Sequence, residues 1–341
     1  MAKVTVKGKE YLLPTRLKQF QEEMYVHLIE WKWKNITKAP GQYGGIDYDA
    51  ILPMSYHAKL PHIYPGIVSE FDAHNKKFPI KLHTHFYHMA SSQAANINLF
   101  LPILISPNVD KILGKVKPDF KKLAKKELYN GYCIEYWDRT KPKGLLNDHT
   151  SGAGTDSDIA IAYYNKSDEL CLWLIEHKLT EPEFTTCGGF KSNGKDRSTH
   201  NCEKTFTEIL NNKNLCYYHE ANRCKYKYWD ITDDNKEFFV NHKEFESCPF
   251  KKGMNQLWRN QIMGFAIEKD ANQPFNHVDF SVVKHPGNNA LDKTIEKYKT
   301  LIDNNPKFSV ITSKEIVDLA EKSGDKAIKT WVDWYRKLYM I

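Results

Sequence analysis

The chain has no long hydrophobic run. Its most apolar stretch, Leu99 to Ile105, is seven residues and contains Pro102, whereas a membrane-spanning helix needs about 20 apolar residues. The first residues, Met-Ala-Lys-Val-Thr-Val-Lys-Gly-Lys, lack the apolar core of a secretory signal, so a cytoplasmic location without a membrane partner is expected. No internal repeat and no low-complexity tract is present. Among the seven cysteines there is no Cys-x-x-Cys pair, and their spacings match no standard zinc finger. In a cytosolic chain a disulfide framework is not expected either. Nor does one sign of charge dominate: 49 Lys and Arg stand against 42 Asp and Glu, a net charge of +7. That excess permits a polyanionic partner without demanding one.

What is present is ordinary globular composition, 41% hydrophobic and 27% charged over 341 residues, enough for one large domain or two modest ones. Leu17, Phe20, Met24, Leu28 and Trp31 recur at helical intervals and predict an amphipathic helix over 15–34. Residues 36–80, rich in Gly, Pro, His and Tyr, read as loops and short strands. Ser91 or Ser92 caps a helix that begins near Gln93 and runs through Phe100, with its end blurred by Pro102 and Pro107. Gly131–Trp137 reads as a strand. After a polar loop, Asp158–Tyr164 and Leu170–Leu179 read as two strands of an antiparallel hairpin, apolar enough for the centre of a sheet covered on both faces. Residues 185–250 turn polar and cysteine-rich without clear periodicity. A helix over 255–268 follows, with Leu257, Ile262, Phe265 and Ala266 inward, then a strand over 278–283. From Leu291 onward two or three helices are expected, one of them capped by Ser313.

The sharpest chemical feature is Leu174-Ile175-Glu176-His177-Lys178. Side chains alternate along a strand, so Glu176 and Lys178 point the same way about 6.6 Å apart, on the face that carries Leu172 and Leu174. Burial alone disfavours such a pair on an apolar strand. Asp158 on the neighbouring strand can place a second carboxylate beside Glu176. Two carboxylates suit Mg²⁺ or Mn²⁺, hard cations that prefer oxygen; such an ion activates water and offsets charge on a scissile phosphate, and an adjacent lysine stabilises the transition state. The acid-x-lysine spacing also occurs at Glu30–Lys32, Asp119–Lys121 and Asp234–Lys236, so the strand context and Asp158 carry the reading. The plain alternative is an ion pair at a strand end.

Asp158 and Glu176-x-Lys178 across a hairpin resemble the PD-(D/E)XK nuclease superfamily. Ser91-Ser92-Gln93-Ala94 with Asn98-Leu99-Phe100, Thr180-Glu181-Pro182 after the lysine, and Cys248-Pro249-Phe250 leading into Asn255-Gln256-Leu257-Trp258-Arg259-Asn260 are similar to segments of a bacterial restriction-endonuclease-like family within it. Together these matches span roughly residues 85–290. The resemblance implies an α/β, restriction-endonuclease-like fold: a mixed central sheet flanked by helices, with a Cys-rich insertion at about 185–250. Residues 1–84 would pack on this core as an N-terminal helix and loop-rich segment, and 85–341 would hold the nuclease core. It implies metal-dependent DNA cleavage, with Asp158 and Glu176 as Mg²⁺ or Mn²⁺ ligands and Lys178 as the catalytic lysine. Asp156, two residues earlier, is the alternative to Asp158, which is favoured because it opens the apolar strand. Glu135 is either an additional carboxylate or an outward-facing strand residue. Gln256 is either a site residue or part of a polar helix face; Arg259, one turn on, suits a phosphate, and Gln93 suits the site or a helix cap. A role in restriction or anti-phage defence, and cutting of both strands by a homodimer, follow from the resemblance alone.

Cys187, Cys202, Cys216, Cys224 and Cys248 fall within 62 residues, with His200 and His219 nearby. Four of them, Cys187, Cys202, Cys216 and Cys248, can supply a structural zinc site or an iron–sulfur cluster of the kind some RecB-like nucleases hold; unligated cysteines are the alternative. Cys133 and Cys171 read as small core residues. Stretches such as Lys225-Tyr226-Lys227-Tyr228-Trp229 suit either nucleic-acid contact or an amphipathic strand over the core. His83, His85 and His88 have metal-like spacing, but hydrogen bonding near a buried polar site explains them equally, and no ligand role is assigned. The expectation is thus a metal-dependent deoxyribonuclease, an endonuclease rather than an exonuclease. The alternative is a nucleic-acid-binding or assembly module that keeps the fold without turnover.

Overall fold

The computed structural model describes residues 3–150, 153–191, 201–221 and 225–341. Two antiparallel ribbons, β1 (Lys3–Val6) with β2 (Lys9–Leu12) and β3 (Gly41–Tyr43) with β4 (Ile46–Tyr48), flank the long helix α1 (Gln19–Asn35). Then come α2 (Val68–Lys77), α3 (Ser92–Leu104) and α4 (Val109–Val116), followed by the strands β5 (Phe120–Leu123), β6 (Tyr132–Tyr136), β7 (Ser157–Asn165) and β8 (Leu170–Lys178). The described residues of the next stretch hold the short helices α5 (Gly188–Lys191), α6 (Phe206–Asn211) and α7 (Tyr228–Asp234), together with single 3-10 turns and one π turn (Tyr217–Ala221). The chain ends with α8 (Met254–Lys269), β9 (His277–Lys284), α9 (Asp292–Leu301), β10 (Phe308–Thr312), α10 (Ser313–Glu321) and α11 (Lys326–Tyr339).

One mixed sheet organises the rest. Its order is β10-β9-β8-β7-β5, with β9 parallel to both β8 and β10 and β7 antiparallel to β8. The outer edge of β7 is shared: β6 pairs with its first half, up to Ile161, and β5 with its second, from Tyr163. The period of two sorts the strand residues between two cores. Ile159, Ile161, Trp173 and Ile175 face α1, α3, α10 and α11 in one cluster; Ala160, Ala162, Leu172 and Leu174 face α8 and α9 in another. Both faces of the hairpin are therefore covered by helices, which explains why β7 and β8 lack polar alternation.

Several expectations need correction. Residues 36–80 are not all loops, because α2 buries Phe71 and His74. The stretch after Leu291 contains a strand, β10, beside β9. Helix α10 is capped by Thr312, whose Oγ1 accepts from the Glu315 N–H while Glu315 Oε2 accepts from the Thr312 N–H; Ser313 is its first residue. Helix α3 continues past Phe100 through Pro102 to Leu104. A proline there leaves the Asn98 carbonyl, four residues back, without its helical N–H. The Trp331 indole N–H of α11 fills that place at 2.7 Å.

Candidate active site

The register of the sheet builds a row of acids. β7 and β8 pair Ile159 with Ile175, so one step along the same register Asp158 faces Glu176. β6 and β7 pair Ile134 with Ile159 and Tyr136 with Ser157, which sets Glu135 opposite Asp158. Three neighbouring strands thus bring Glu135, Asp158 and Glu176 side by side at the end of the hairpin. Lys178, two residues beyond Glu176, places its Nζ 2.9 Å from Glu176 Oε1.

Hydrogen bonds fix each member. The backbone N–H of His177 donates to Asp158 Oδ2 at 2.6 Å, and Asn96 of α3 donates to the Asp158 carbonyl at 2.9 Å. From α8, Gln256 Nε2 donates to Glu176 Oε1 at 2.7 Å and Asn260 Nδ2 to Glu176 Oε2 at 3.2 Å. Asn260 Oδ1 in turn accepts from Ser157 Oγ at 2.7 Å. Gln93, at the start of α3, donates to Glu135 Oε1 at 2.8 Å and accepts from the His83 N–H. Glu135 itself has φ +50, a backbone conformation that bulky residues rarely adopt.

The electrostatics of this row are strained. Burial pushes the Glu135 carboxyl up to about 8; the Gln93 bond opposes the rise, while Asp156 and Glu176 add to it. Burial, then the charges of Glu176 and Glu135, likewise hold Asp158 well above the ordinary carboxylate range. For Lys178 burial works against the charge, but Glu176, Glu181 and Asp158 outweigh it and keep its pKa above the usual lysine value. One lysine ammonium thus stands among several crowded acids. Glu176 and Lys178 are 3% and 7% exposed, so bulk water screens them little.

Two clefts of about 430 and 490 Å³ flank the Gln93–Glu135 pair. The first is lined by Tyr25, Tyr43, His83, Ser92, Gln93 and Glu181, among others. The second is lined by Lys81, Glu135, Trp137, Arg139, His149 and Asp156, among others. Asp156, the alternative to Asp158, faces His149 Nε2 at 2.8 Å, and that imidazole stacks on Trp137. Arg259 lies elsewhere: it donates to Thr155 Oγ1 and the Gly154 carbonyl and pairs with Asp148 at 3.4 Å. It ties down the loop before β7 and does not reach the row.

The sequence reading passed over two members. Glu181 accepts from the Leu179 and Thr180 N–H groups. Burial raises its pKa, but Lys178 and the Ser92 hydroxyl outweigh it, leaving the carboxyl below its usual range. The signal was its place just after the strand, in Thr180-Glu181-Pro182. Asn260 was legible as the residue one turn beyond Gln256 on the same helix face. The four expected cysteines, Cys187, Cys202, Cys216 and Cys248, line one small cavity together with Trp229, Phe250 and Trp258; Cys224 and His200 lie outside the described residues. Among the described residues no group of three or more His, Cys, Asp or Glu side chains is placed to hold a metal ion as it stands.

A family model described as Restriction Endonuclease associating with ARP matches residues 31–340. The chain belongs to this restriction endonuclease family. No curated protein and no solved structure matches it. The family match runs from inside α1 to the end of α11 and takes in Gln93, Glu135, Asp158, Glu176, Lys178, Gln256 and the cysteine-bearing segment. Among the described residues of this restriction-endonuclease-family chain, no helix is long and apolar enough to cross a membrane.

Proposed function

We propose that the chain is a divalent-metal-dependent deoxyribonuclease, an endonuclease serving restriction or anti-phage defence, built on the PD-(D/E)XK pattern. The observation that carries this reading is the row Glu135–Asp158–Glu176 with Lys178 at the end of the central hairpin. Buried like charges side by side destabilise one another, and a cation held among them relieves that repulsion. The donors are all carboxylate oxygens, which fits Mg²⁺ or Mn²⁺. Asp158 and Glu176 would hold the ion, which supplies Lewis acidity and a lowered pKa for bound water.

The protein's own groups take complementary parts. Lys178 is kept as an ammonium, so it donates hydrogen bonds and countercharge to a phosphate or attacking water rather than accepting a proton. Gln256 and Asn260 hold the Glu176 carboxylate in one orientation, as supporting groups around metal ligands do. Gln93 does the same for Glu135. The two clefts beside Gln93 and Glu135 fall in the size range of small-ligand sites. DNA is the proposed partner, with a homodimer as the arrangement for cutting both strands.

The experiment is cleavage of supercoiled circular and linear DNA with Mg²⁺, Mn²⁺ or EDTA. Wild type is expected to nick or cut circles only with metal. Lys178→Ala and Glu176→Ala are expected to lose at least about a hundredfold in rate, the scale of removing one transition-state donor. The low exposure of Glu176 and Lys178 favours one second reading, a binding or assembly module with a closed site. DNA binding without cleavage under any metal would select that module and sink the endonuclease.

A further inference from the structure

The segment between β8 and α8 lacks the means to hold itself together. Its helices, α5, α6 and α7, are four, six and seven residues long, too short to be stable alone, and no sheet strand lies among its described residues. Yet it supplies ordered walls to the second core through Phe206, Trp229 and Phe250. Four cysteines from four separate points, Cys187, Cys202, Cys216 and Cys248, line one cavity of about 10 Å³ walled by Tyr218, Trp229, Phe250 and Trp258. None of the four is in a disulfide. Their charges sense one another: Cys187 and Cys202 act on Cys216, and all three act on Cys248.

The sulfurs also face a common kind of partner. Backbone N–H groups act on three of the four sulfurs: those of Phe190 and Gly189 on Cys187, that of Tyr218 on Cys216, and that of Phe250 on Cys248. In each case the donor is the residue two positions after the cysteine, with Phe190 as an extra. Burial raises the Cys187, Cys216 and Cys248 thiols by more than these donors lower them, so the metal-free cysteines stay thiols; once a metal is bound, such donors set the charge of its sulfur ligands. The Arg259 guanidinium adds positive charge near Cys187.

We propose that Cys187, Cys202, Cys216 and Cys248 hold a single structural Zn²⁺ ion that fastens the segment between β8 and α8 onto the sheet. Four sulfur donors in a tetrahedral set select Zn²⁺ or iron. The cavity of about 10 Å³ is the size of about one water probe, which suits a single ion. As they stand, no three of these side chains are placed to hold an ion, so loading has to draw the sulfurs together. It also displaces their protons: one Zn²⁺ and four thiols give a tetrathiolate and four H⁺. This site is independent of the carboxylate row and of any nuclease activity.

The test is metal analysis of the full-length wild-type protein after dialysis against a weak chelator and passage over a chelating resin. About one zinc per chain is expected, retained in Lys178→Ala, Cys133→Ser and Cys171→Ser and lost in Cys216→Ser and Cys248→Ser. Mercurial titration of wild type should release the zinc as the four thiols react. Cobalt-substituted wild type gives a second readout that does not depend on the variants folding, the thiolate-to-cobalt charge-transfer band of a tetrahedral sulfur site. A folded wild type without zinc whose thiols all react freely would overturn the proposal. So would iron with sulfide-to-iron absorbance, which would mean a cluster instead.

Discussion

At the scale of single residues, Glu135 shows most clearly how the site departs from what a fold prefers. It sits in a strand with φ +50, a conformation that costs about 1–3 kcal/mol for a residue of this size, and burial holds its carboxyl protonated up to about pH 8. The acid binds a proton in the folded chain that the unfolded chain has released by about pH 4.5. Metal-free stability contributed by this proton is therefore fully present below that value and is lost as pH rises through 8. The buried histidines His74 and His177, lowered to about 4 chiefly by burial, act in the opposite sense, but only below about pH 6.5, where the unfolded chain takes up protons. Between pH 6.5 and 8 in EDTA, the urea midpoint of wild type is thus expected to fall with rising pH. Glu135→Gln, which keeps the shape and the Gln93 neighbour but has no proton to lose, should flatten that slope. Equal slopes in the two proteins would remove Glu135 from the set of crowded acids.

At the scale of elements, what was legible depended on whether local pattern and tertiary context agreed. The β7–β8 hairpin could be read from two apolar runs and a short turn, and with it the pairing of Asp158 with Glu176, because register follows once a hairpin is fixed. Helix α8 followed from its apolar spacing. The strand β10 was missed because Phe308-Ser309-Val310-Ile311-Thr312 runs straight into α10, and only its parallel pairing with β9 distinguishes it from a helix entry. The short helices after β8 have too few turns to carry a periodic signal. Gln93 meeting Glu135 crosses 42 positions, a contact that no local pattern encodes. The junction between β10 and α10 carries its own prediction. Thr312→Ala removes the hydroxyl that accepts from Glu315 N–H and should cost about 1 kcal/mol in urea unfolding, the usual value of a helix cap. A loss confined to Ser313→Ala would return the cap to the position read from sequence.

At the scale of the whole molecule, the segment Asn98-Leu99-Phe100 joins distant parts of the chain through one residue. The Asn98 side chain accepts from the Tyr64 N–H at 2.8 Å and donates to the His62 carbonyl and the Tyr339 hydroxyl, each at 2.9 Å. Its own carbonyl, freed by Pro102, takes the Trp331 indole N–H. The N-terminal region, α3 and α11 therefore share one hydrogen-bonded hub inside one hydrophobic cluster. Because α3 also carries Gln93 and Asn96 to the acid row, the docking of α11 bears on where those groups stand. Trp331→Phe keeps most of the buried ring but leaves the Asn98 carbonyl unpaired, an expected loss of about 1–3 kcal/mol. Trp331→Ala opens a cavity as well and should cost about 3–5 kcal/mol. If the hub links the layers into one cooperative unit, circular dichroism and tryptophan fluorescence of Trp331→Phe should shift together to a lower urea midpoint. A separate early transition in fluorescence alone would mean that α11 leaves the sheet while β7 and β8 keep the acid row intact, and the C-terminal helix would then be a removable cover rather than part of the frame.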